Sequence, residues 1–369
     1  MTRLLLIFAS GAAILCAAEV QPVQPSDLTI HEWGTFTSVA GEDGSAVVWD
    51  ALGGKDDLPD FVSSSGYRCA KRSIADTVRM ETPVMYFYSP RELDARVKVE
   101  FPHGLITEWY PQARHVAGAI VWPSIKVEPY TSPALPVETA PSRYYAARGT
   151  DSAPITAGDQ HEKFLFYRGV GNFQIPLSAR VDGDGTIAIE NRGADPVPTV
   201  ILFENRGGHL GYRNAGEVKD AVALDSPSLD SSLPVLRYEL ENALVAQGLY
   251  PKEAQAMVET WRDSWFEEGT RLIYIVPSHA VDAFLPLHVD PAPAQTARVF
   301  VGRIELITPE ITRSVENAMA SGDWPAIERY GRFLDPILNR IVAEIPSMAN
   351  QIAQVRQKIW SSINAGACR

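Results

Sequence analysis

Much of the chain before residue 215 alternates between hydrophobic and polar positions, which is the pattern of half-buried β-strands. Leu28–Val39 is the clearest case, since it is rich in threonine, aromatic and β-branched residues. Successive side chains of a strand point to opposite faces, so the residues of this segment divide into two sets. One set is Ile30, Glu32, Gly34 and Phe36, and the other is Thr29, His31, Trp33, Thr35 and Thr37.

Three short apolar runs later in this half are separated by Gly, Asp, Asn and Pro: Phe164–Tyr167, Thr186–Ile189 and Thr199–Phe203. Such runs are typical of strands joined by tight turns, and Asp182–Gly185 predicts one of those turns. About ten short strands and no clear helix predict that residues 28–215 form an antiparallel sandwich or a barrel-like β domain.

Helical patterns begin only beyond residue 216, and they alternate there with strands. Pro251 favours the first position of a helix, and Thr308 is a good cap for another. A longer helix is predicted over Trp324–Ile345, while Arg271–Val276 and Arg298–Ile307 have the composition of strands. The sequence therefore predicts an α+β segment over residues 216–369, with helices at its C-terminal end.

Residues 1–18 have the organisation of a secretory signal peptide. Arg3 provides the positive start, Leu4–Leu15 is a short apolar run, and Cys16–Ala18 offers small residues before a cleavage site. An uncleaved anchor and a lipid on Cys16 are the alternatives. We expect an exported protein, periplasmic or extracellular, whose mature chain has no further membrane span and begins with an extended lead-in at residues 19–27.

The charge composition of the chain makes some classes of binding partner improbable. The chain carries 33 Lys and Arg against 45 Asp and Glu, a net charge of −12, and it has no dense basic block. An acidic protein of this kind is a poor partner for nucleic acid. Cys69 and Cys368 would remain after removal of residues 1–18; in an oxidising compartment they either pair as a disulfide or stay separate thiols.

Two histidines and two glutamates are the candidates for chemistry. None of the seven histidines lies three to five residues from another, so a preformed histidine pair for zinc is absent. His31 and His209 remain candidate ligands of a divalent metal, which would require convergence over a long range. Glu32 and Glu81 lie in predicted strands and are the candidate catalytic carboxylates.

Arginines next to glycines are the candidates for ligand binding. Arg168, Arg192 and Arg206 fall at predicted strand ends, where glycine permits a close approach and arginine offers a fork of donors. Trp33 is a further candidate contact. The alternative is that each arginine pairs with its neighbouring glutamate, Glu190 or Glu204, across a hairpin.

Four segments resemble stretches of a group of uncharacterised exported bacterial proteins: HEWGTFTSVAG, METPVMYFYSP, YRGVG and WFEEGTRLIYIVP. The resemblance covers most of the chain beyond residue 18. It implies export and a common fold, and it implies no activity and no functional residue.

Two functions follow as expectations, and whether the protein is an enzyme stays open. The favoured one is a non-catalytic protein that binds a glycan, a peptide or another envelope component, because the chain is β-rich and carries no catalytic template. The alternative is a hydrolase, metal-assisted or carboxylate-based, with His31, Glu32, Glu81, Arg168, Arg206 and His209 in one site.

Overall fold

A computed structural model describes residues 27–51, 58–65 and 75–364 of the chain. The predicted signal peptide, nearly all of the lead-in, Cys69 and Cys368 lie outside the described residues.

The described residues form strands over most of the first three quarters of the chain and helices mainly near its C-terminus. The strands are β1 (Thr29–Val39), β2 (Trp49–Asp50), β3 (Ser63–Ser64), β4 (Ala75–Asp76), β5 (Val78–Tyr88), β6 (Leu93–Glu100), β7 (Gly104–Tyr110), β8 (Arg114–Val116), β9 (Ala119–Val127), β10 (Ile155–Ala157), β11 (Gln160–Glu162), β12 (Leu165–Gly171), β13 (Leu177–Val181), β14 (Ile187–Asn191), β15 (Val197–Arg206), β16 (His209–Val218), β17 (Ala221–Leu224), β18 (Gly269–Val276), β19 (Leu287–Asp290) and β20 (Gln295–Leu306). The α-helices are α1 (Leu233–Ala246), α2 (Pro251–Trp265), α3 (Ser278–Phe284), α4 (Pro309–Ser321), α5 (Trp324–Glu328), α6 (Leu334–Glu344) and α7 (Ala349–Asn364), and short 3₁₀-helices cover Arg143–Arg148, Gly331–Phe333 and Pro346–Met348.

Three larger sheets organise most of the strands, and β2 and β4 form a fourth sheet of two strands. The central sheet has nine strands in the order β16-β15-β18-β20-β1-β5-β12-β7-β3, and only its pairing of β1 with β20 is parallel. A second sheet has the order β11-β10-β9-β6-β19, with β8 beside β9, and a small sheet has the order β13-β14-β17. The β-rich fold with C-terminal helices is confirmed, and within the described residues the sheets stay open, as in a sandwich, without closing into a barrel.

The two faces of β1 lie in different cores, as its alternation predicts. Ile30 and Phe36 belong to the core that the central sheet shares with the other two sheets. Trp33 belongs to the core beneath α1 and α2, while Val39 packs with α4, α6 and α7. The central sheet is therefore covered by sheets on one face and by two groups of helices on the other.

The central sheet crosses the predicted boundary between residues 215 and 216, because β18 and β20 lie inside it next to β1. Two helix starts agree with the sequence: α2 begins at Pro251, and the Thr308 side chain accepts a hydrogen bond from the Ile311 amide at 3.3 Å. The single helix predicted over Trp324–Ile345 is wrong. Gly331, with φ of 49°, stands between α5 and α6, and a left-handed residue ends an α-helix.

Candidate functional site

The small sheet has one face in the core and one face turned outward. Leu177, Ala179, Ile187 and Ile189 are buried in the core that the three sheets share. The residues between them point the other way, because side chains alternate along a strand. The outward set is Arg180 on β13, Ala188 and Glu190 on β14, and Ala221 and Ala223 on β17, and Ser178 on β13 shares this face but is buried.

The register of the small sheet puts its short side chains side by side. Ala188 lies between Arg180 on β13 and Ala223 on β17, and Glu190 lies between Ser178 and Ala221. The floor of this face is therefore low, with longer side chains around it. We call this surface the trough; it is a cavity of about 410 Å³ lined by Asp43, Gly44, Ser178, Arg180, Ala188, Ile189, Glu190, Arg192, Ala221, Val222 and Ala223.

A turn between β1 and β2 forms one wall of the trough. Gly44 adopts φ of 81°, and a Cβ added there would lie 3.2 Å from the backbone of Ala179. Glycine suits both the left-handed conformation and this close approach. The amide of Ala179 donates a hydrogen bond to the carbonyl of Gly44 at 3.3 Å, which ties the turn to β13.

The charged groups of the trough are paired, and they remain near solvent. Arg192 Nε lies 3.2 Å from a carboxylate oxygen of Glu190, and its Nη1 donates to Ser45 Oγ at 3.2 Å. Arg180 pairs with Asp182 at 2.8 Å. Hydrogen bonds from the backbone and side chain of Ser45 lower the pKa of the exposed Asp43. The trough thus presents fixed donors and fixed acceptors along one surface.

In the doubled Glu-Asn-Arg-Gly segments each arginine contacts its neighbouring glutamate, as the alternative expects, but the pairs run along one strand and do not cross a hairpin. Arg192 contacts Glu190, and Arg206 contacts Glu204, each pair lying on one strand or its end. Arg206 is exposed, and its partner Glu204 is buried. Of the two, only Arg192 lines the trough.

His31 and Glu32 belong to separate buried centres, because they point to opposite faces of β1. On the helix face, His31 Nδ1 lies 2.8 Å from Glu253, which also accepts a hydrogen bond from the Tyr88 hydroxyl at 2.7 Å. The exposed ring of Tyr250 lies 4.4 Å from the His31 ring. Burial and the charge of Glu253 raise the pKa of Tyr88, so its hydroxyl stays protonated and remains a donor to Glu253.

On the opposite face, Glu32 is fully buried and accepts hydrogen bonds from Tyr167 at 2.5 Å and from Arg298 at 2.6 Å. Burial and the charge of Glu32 raise the pKa of Tyr167 well above its ordinary value, so the phenol stays protonated. The Glu32 carboxylate is held by two donors in the core. Trp33, the next residue, is also fully buried, so its side chain contributes to the core beneath the helices.

Glu81 lies farther along the helix face of the central sheet, opposite Thr35. Its carboxylate is 2.8 Å from Arg332 and 3.7 Å from Arg79. Burial alone would raise the pKa of Glu81, but the two guanidinium charges outweigh it and hold the pKa well below its usual range. A carboxylate that stays ionised and paired is a poor general base.

Glu81 belongs to a set of charged residues between the two groups of helices and the central sheet. We call this set the buried charged layer; it consists of Arg79, Glu81, Glu267, Arg271, Arg303, Glu305 and Arg332. Ser264 joins its halves, since its Oγ accepts hydrogen bonds from Arg303 at 2.9 Å and from Arg332 at 3.2 Å. Arg271 and Arg303 are at most 1% exposed.

The backbone next to Glu81 is unusual. Thr82 has φ of 46°, in the left-handed region that β-branched residues rarely adopt. It sits at a β-bulge, because the pairing of β1 with β5 shifts between Trp33 and Thr35. Gly34 lies inside this shift, and a Cβ added to it would lie 2.6 Å from the Phe300 ring.

The candidate residues for a hydrolase do not meet in one cleft. His31 lies four residues along β1 from the level of Glu81, roughly 13 Å at the usual rise of a strand. His209 lies on the edge strand β16, four strand spacings or roughly 19 Å from β1. Among the residues that the structure describes, no group of three or more His, Cys, Asp or Glu is placed to hold a metal ion.

Arg168 is the one arginine candidate that lies level with Glu81. Gly169 pairs with Met80, so Arg168 on β12 comes next to Glu81 on the neighbouring strand. Its Nη1 lies 3.9 Å from Glu108 on β7. Arg168 is 2% exposed, so this guanidinium belongs to the interior of the helix face.

Sequence reasoning missed the partners that define these centres. Glu253, Arg298 and Arg332 lie more than 200 residues from the glutamates or the histidine they contact. No local spacing connects them. The alternations Ile187-Ala188-Ile189 and Ala221-Val222-Ala223 were a usable signal for the trough, since short side chains at outward positions of a strand leave room above the sheet.

Comparisons with known proteins add no family. No family model matches the chain, and no curated protein matches it. Among solved structures, the yeast delta-COP-I mu-homology domain complexed with the Dsl1 WxWxV peptide is similar with a TM-score of 0.30 and 10% identity, over 77% of this chain and 97% of that one. The yeast delta-COP-I mu-homology domain alone gives 0.29 and 8%, with the same coverage. A likeness at these TM-scores does not establish a common fold.

None of the helices in the described part of the chain combines the length and hydrophobicity that crossing a membrane requires.

Proposed function

We propose that the protein is a non-catalytic binding protein whose trough holds an extended peptide segment. The observation that carries the proposal is the low floor of Ala188, Ala221 and Ala223 within a cavity of about 410 Å³. Surface strands usually carry long polar side chains at outward positions, and these alanines leave that space open. Ligand sites commonly measure about 300–1,000 Å³, so the volume suits a few residues of a bound chain.

The chemistry of the rim favours a peptide. Arg180 and Arg192 offer donors, while Asp43 and Glu190 offer acceptors. A peptide backbone carries one donor and one acceptor per residue, so it can use both kinds of group. None of the residues that line the trough is aromatic, whereas sugar rings are usually recognised by stacking on aromatic rings.

The test is selection from a random octapeptide library on the purified chain, with a glycan array run in parallel. We expect peptide binding that is lost in Ala223→Arg, which raises the floor, and weakened in Arg192→Ala. Arg206→Ala is the matched control, because Arg206 has the same sequence context and lies outside the trough. Enrichment of no peptide, recognition of glycans alone, or binding that survives Ala223→Arg would reject the proposal.

The hydrolase alternative gains no support from the described geometry. Catalytic groups must come within hydrogen-bond reach of one substrate, and His31, Glu32 and Glu81 lie in three separate centres. We therefore rest the proposal on the trough alone.

We further propose that the protein is exported, because residues 1–18 carry the features of a signal peptide. The expected result is a secreted or periplasmic chain whose N-terminus is Glu19, measured by mass spectrometry after expression of the full sequence. A cytoplasmic product that keeps Met1 would contradict this.

A further inference from the structure

Three aromatic rings meet where β5 ends and α2 begins, next to the first residues of β1. The rings of His31, Tyr88 and Tyr250 lie with their centroids 4.4 to 5.5 Å apart, and we call these three residues the aromatic patch. His31 is 4% exposed, Tyr88 is half-buried and Tyr250 is 43% exposed. The outermost ring, that of Tyr250, therefore offers its surface to a ligand.

Glu253 fixes the orientation of the His31 ring from the buried side. Its carboxylate accepts hydrogen bonds from the Tyr88 hydroxyl and from the Tyr250 amide, each at 2.7 Å. His31 Nδ1 lies 2.8 Å from the same carboxylate, so Nδ1 carries a proton and donates it into this hydrogen bond. The neutral imidazole then has its lone pair on Nε2, which makes Nε2 a hydrogen-bond acceptor.

His31 Nε2 is the open atom of this nearly buried side chain. It has no hydrogen bond to any residue that the structure describes. It also keeps some solvent-accessible surface, unlike the unpaired Nε1 of Trp33 on the same strand, which is fully buried. A ligand that lies against the aromatic patch can therefore reach Nε2.

The chemistry of the aromatic patch favours an uncharged ligand with hydroxyl groups. In the first turn of α2, Lys252 pairs with Asp151 at 2.6 Å, and Glu253 is held by its three donors, so both charged side chains of that turn are already paired. The Nε2 acceptor needs a donor from the ligand, and an exposed aromatic ring binds a flat apolar surface. A pyranose ring has both, since hydroxyl groups surround a face of C–H groups.

From these observations we infer that the aromatic patch binds a neutral sugar ring, which stacks on Tyr250 and donates a hydroxyl hydrogen bond to His31 Nε2. The trough belongs to the small sheet, whereas the aromatic patch lies on the helix face of the central sheet. The protein would then bind a peptide at one site and a glycan at the other.

The test is titration of the purified chain with neutral tetrasaccharides, followed by NMR of the protein amides. The probes are cellotetraose, maltotetraose and tetra-N-acetylchitotetraose. Sorbitol is the control ligand, because it has hydroxyl groups and no ring that can stack. We expect saturable binding of at least one tetrasaccharide with a dissociation constant on the order of millimolar, and no saturable binding of sorbitol.

Variants at exposed tyrosines locate the site. Tyr250→Ala removes the outermost ring and should weaken binding of the tetrasaccharide at least about tenfold, whereas Tyr250→Phe keeps the ring and should keep the binding. Tyr238→Ala is the matched control, because Tyr238 is 65% exposed on α1 and lies outside the aromatic patch. Ala223→Arg, in the trough, should also leave the titration unchanged.

Diethyl pyrocarbonate reports on His31 itself, because it acylates an unprotonated imidazole nitrogen that solvent can reach. Mass spectrometry of the digested protein should find the modification on His31, and a saturating amount of the bound tetrasaccharide should slow it severalfold. The exposed His209 is the internal control, whose modification should not change. In Tyr250→Ala the protection of His31 should be lost.

The inference fails if no tetrasaccharide binds saturably, if sorbitol binds as tightly, or if Tyr250→Ala binds like the wild type. Loss of binding in Tyr238→Ala or in Ala223→Arg would assign the sugar to another surface and would also overturn it, as would a bound sugar that leaves the modification of His31 unchanged. A failed peptide selection would reject the trough proposal alone, because the probes and the variants differ.

Discussion

Arginines gather in two regions of this molecule, the buried charged layer and the trough, and they are held in opposite ways. In the layer, Arg271 donates to Glu305 and to the backbone carbonyls of Trp265, Glu267 and Glu268. In the trough, Arg192 has one carboxylate and one hydroxyl near it and stays exposed. An arginine whose donors are all used fixes the fold, whereas one that keeps free donors near solvent can recognise a ligand.

The largest expected effect separates the two regions by stability. Glu305→Ala should lower the free energy of unfolding by about 3–5 kcal/mol, because it leaves Arg271 and Arg303 buried without their shared carboxylate. Glu190→Ala, which removes the carboxylate beside Arg192, should change it by less than about 0.5 kcal/mol. Urea unfolding followed by circular dichroism gives both free energies. Equal losses of stability would contradict the distinction between the buried charged layer and the trough.

The second effect is a dependence on pH. The folded pKa of Glu81 lies below its value of 4.5 in the unfolded chain, so the native state binds fewer protons than the unfolded state in acid. The stability from Glu81 is therefore complete above about pH 5 and declines as the pH falls below that point. Glu81→Gln should flatten the curve of unfolding free energy between pH 5 and pH 3.

Asp43→Asn is the matched variant in the trough for the same experiment. The pKa of Asp43 is also lowered, but its carboxylate is exposed and screened by solvent. We expect its removal to leave the acid slope close to that of the wild type. If Asp43→Asn changed the pH dependence of the unfolding free energy more than Glu81→Gln does, the trough and not the buried charged layer would be the main source of acid sensitivity.

A smaller effect concerns the wall of the trough. Gly44→Ala should destabilise the protein by about 1–2 kcal/mol for the left-handed conformation alone, with an addition for the contact at Ala179. Gly185→Ala is the control, since Gly185 has φ of 88° and open space where the Cβ would lie. Thermal unfolding should show a larger loss of stability for Gly44→Ala than for Gly185→Ala. Equal losses would mean that the turn at Gly44 moves away from Ala179 and accommodates the added methyl group.

The sequence predicted what depends on neighbours in the chain. The opposite faces of His31 and Glu32 follow from alternation along β1, and the turn at Asp182–Gly185 follows from its composition; both are confirmed. The cap at Thr308 is confirmed for the same reason. Each of these features needs only a few residues to specify it.

The rest depended on contacts across the chain. Nothing near Glu81 in the sequence indicates Arg332, and nothing near Glu32 indicates Arg298, because side chains more than 200 residues apart meet only through the central sheet and its helices. The prediction of one helix over Trp324–Ile345 rested on the spacing of its apolar residues. Gly331, whose backbone is left-handed, separates the segment into α5 and α6. Arg192 was a candidate from its context, but its place at the trough required the register of β13, β14 and β17.

The parallel pairing of β1 with β20 also governs how the molecule is made. Thr29 and Gln295 begin neighbouring strands, so the main sheet stays incomplete until nearly the whole chain has been synthesised. Until then β1 has only β5 as its partner, and one hydrophobic edge is exposed. Contacts between residues this far apart in the sequence form slowly, so we expect the central sheet to fold more slowly than one built from local hairpins.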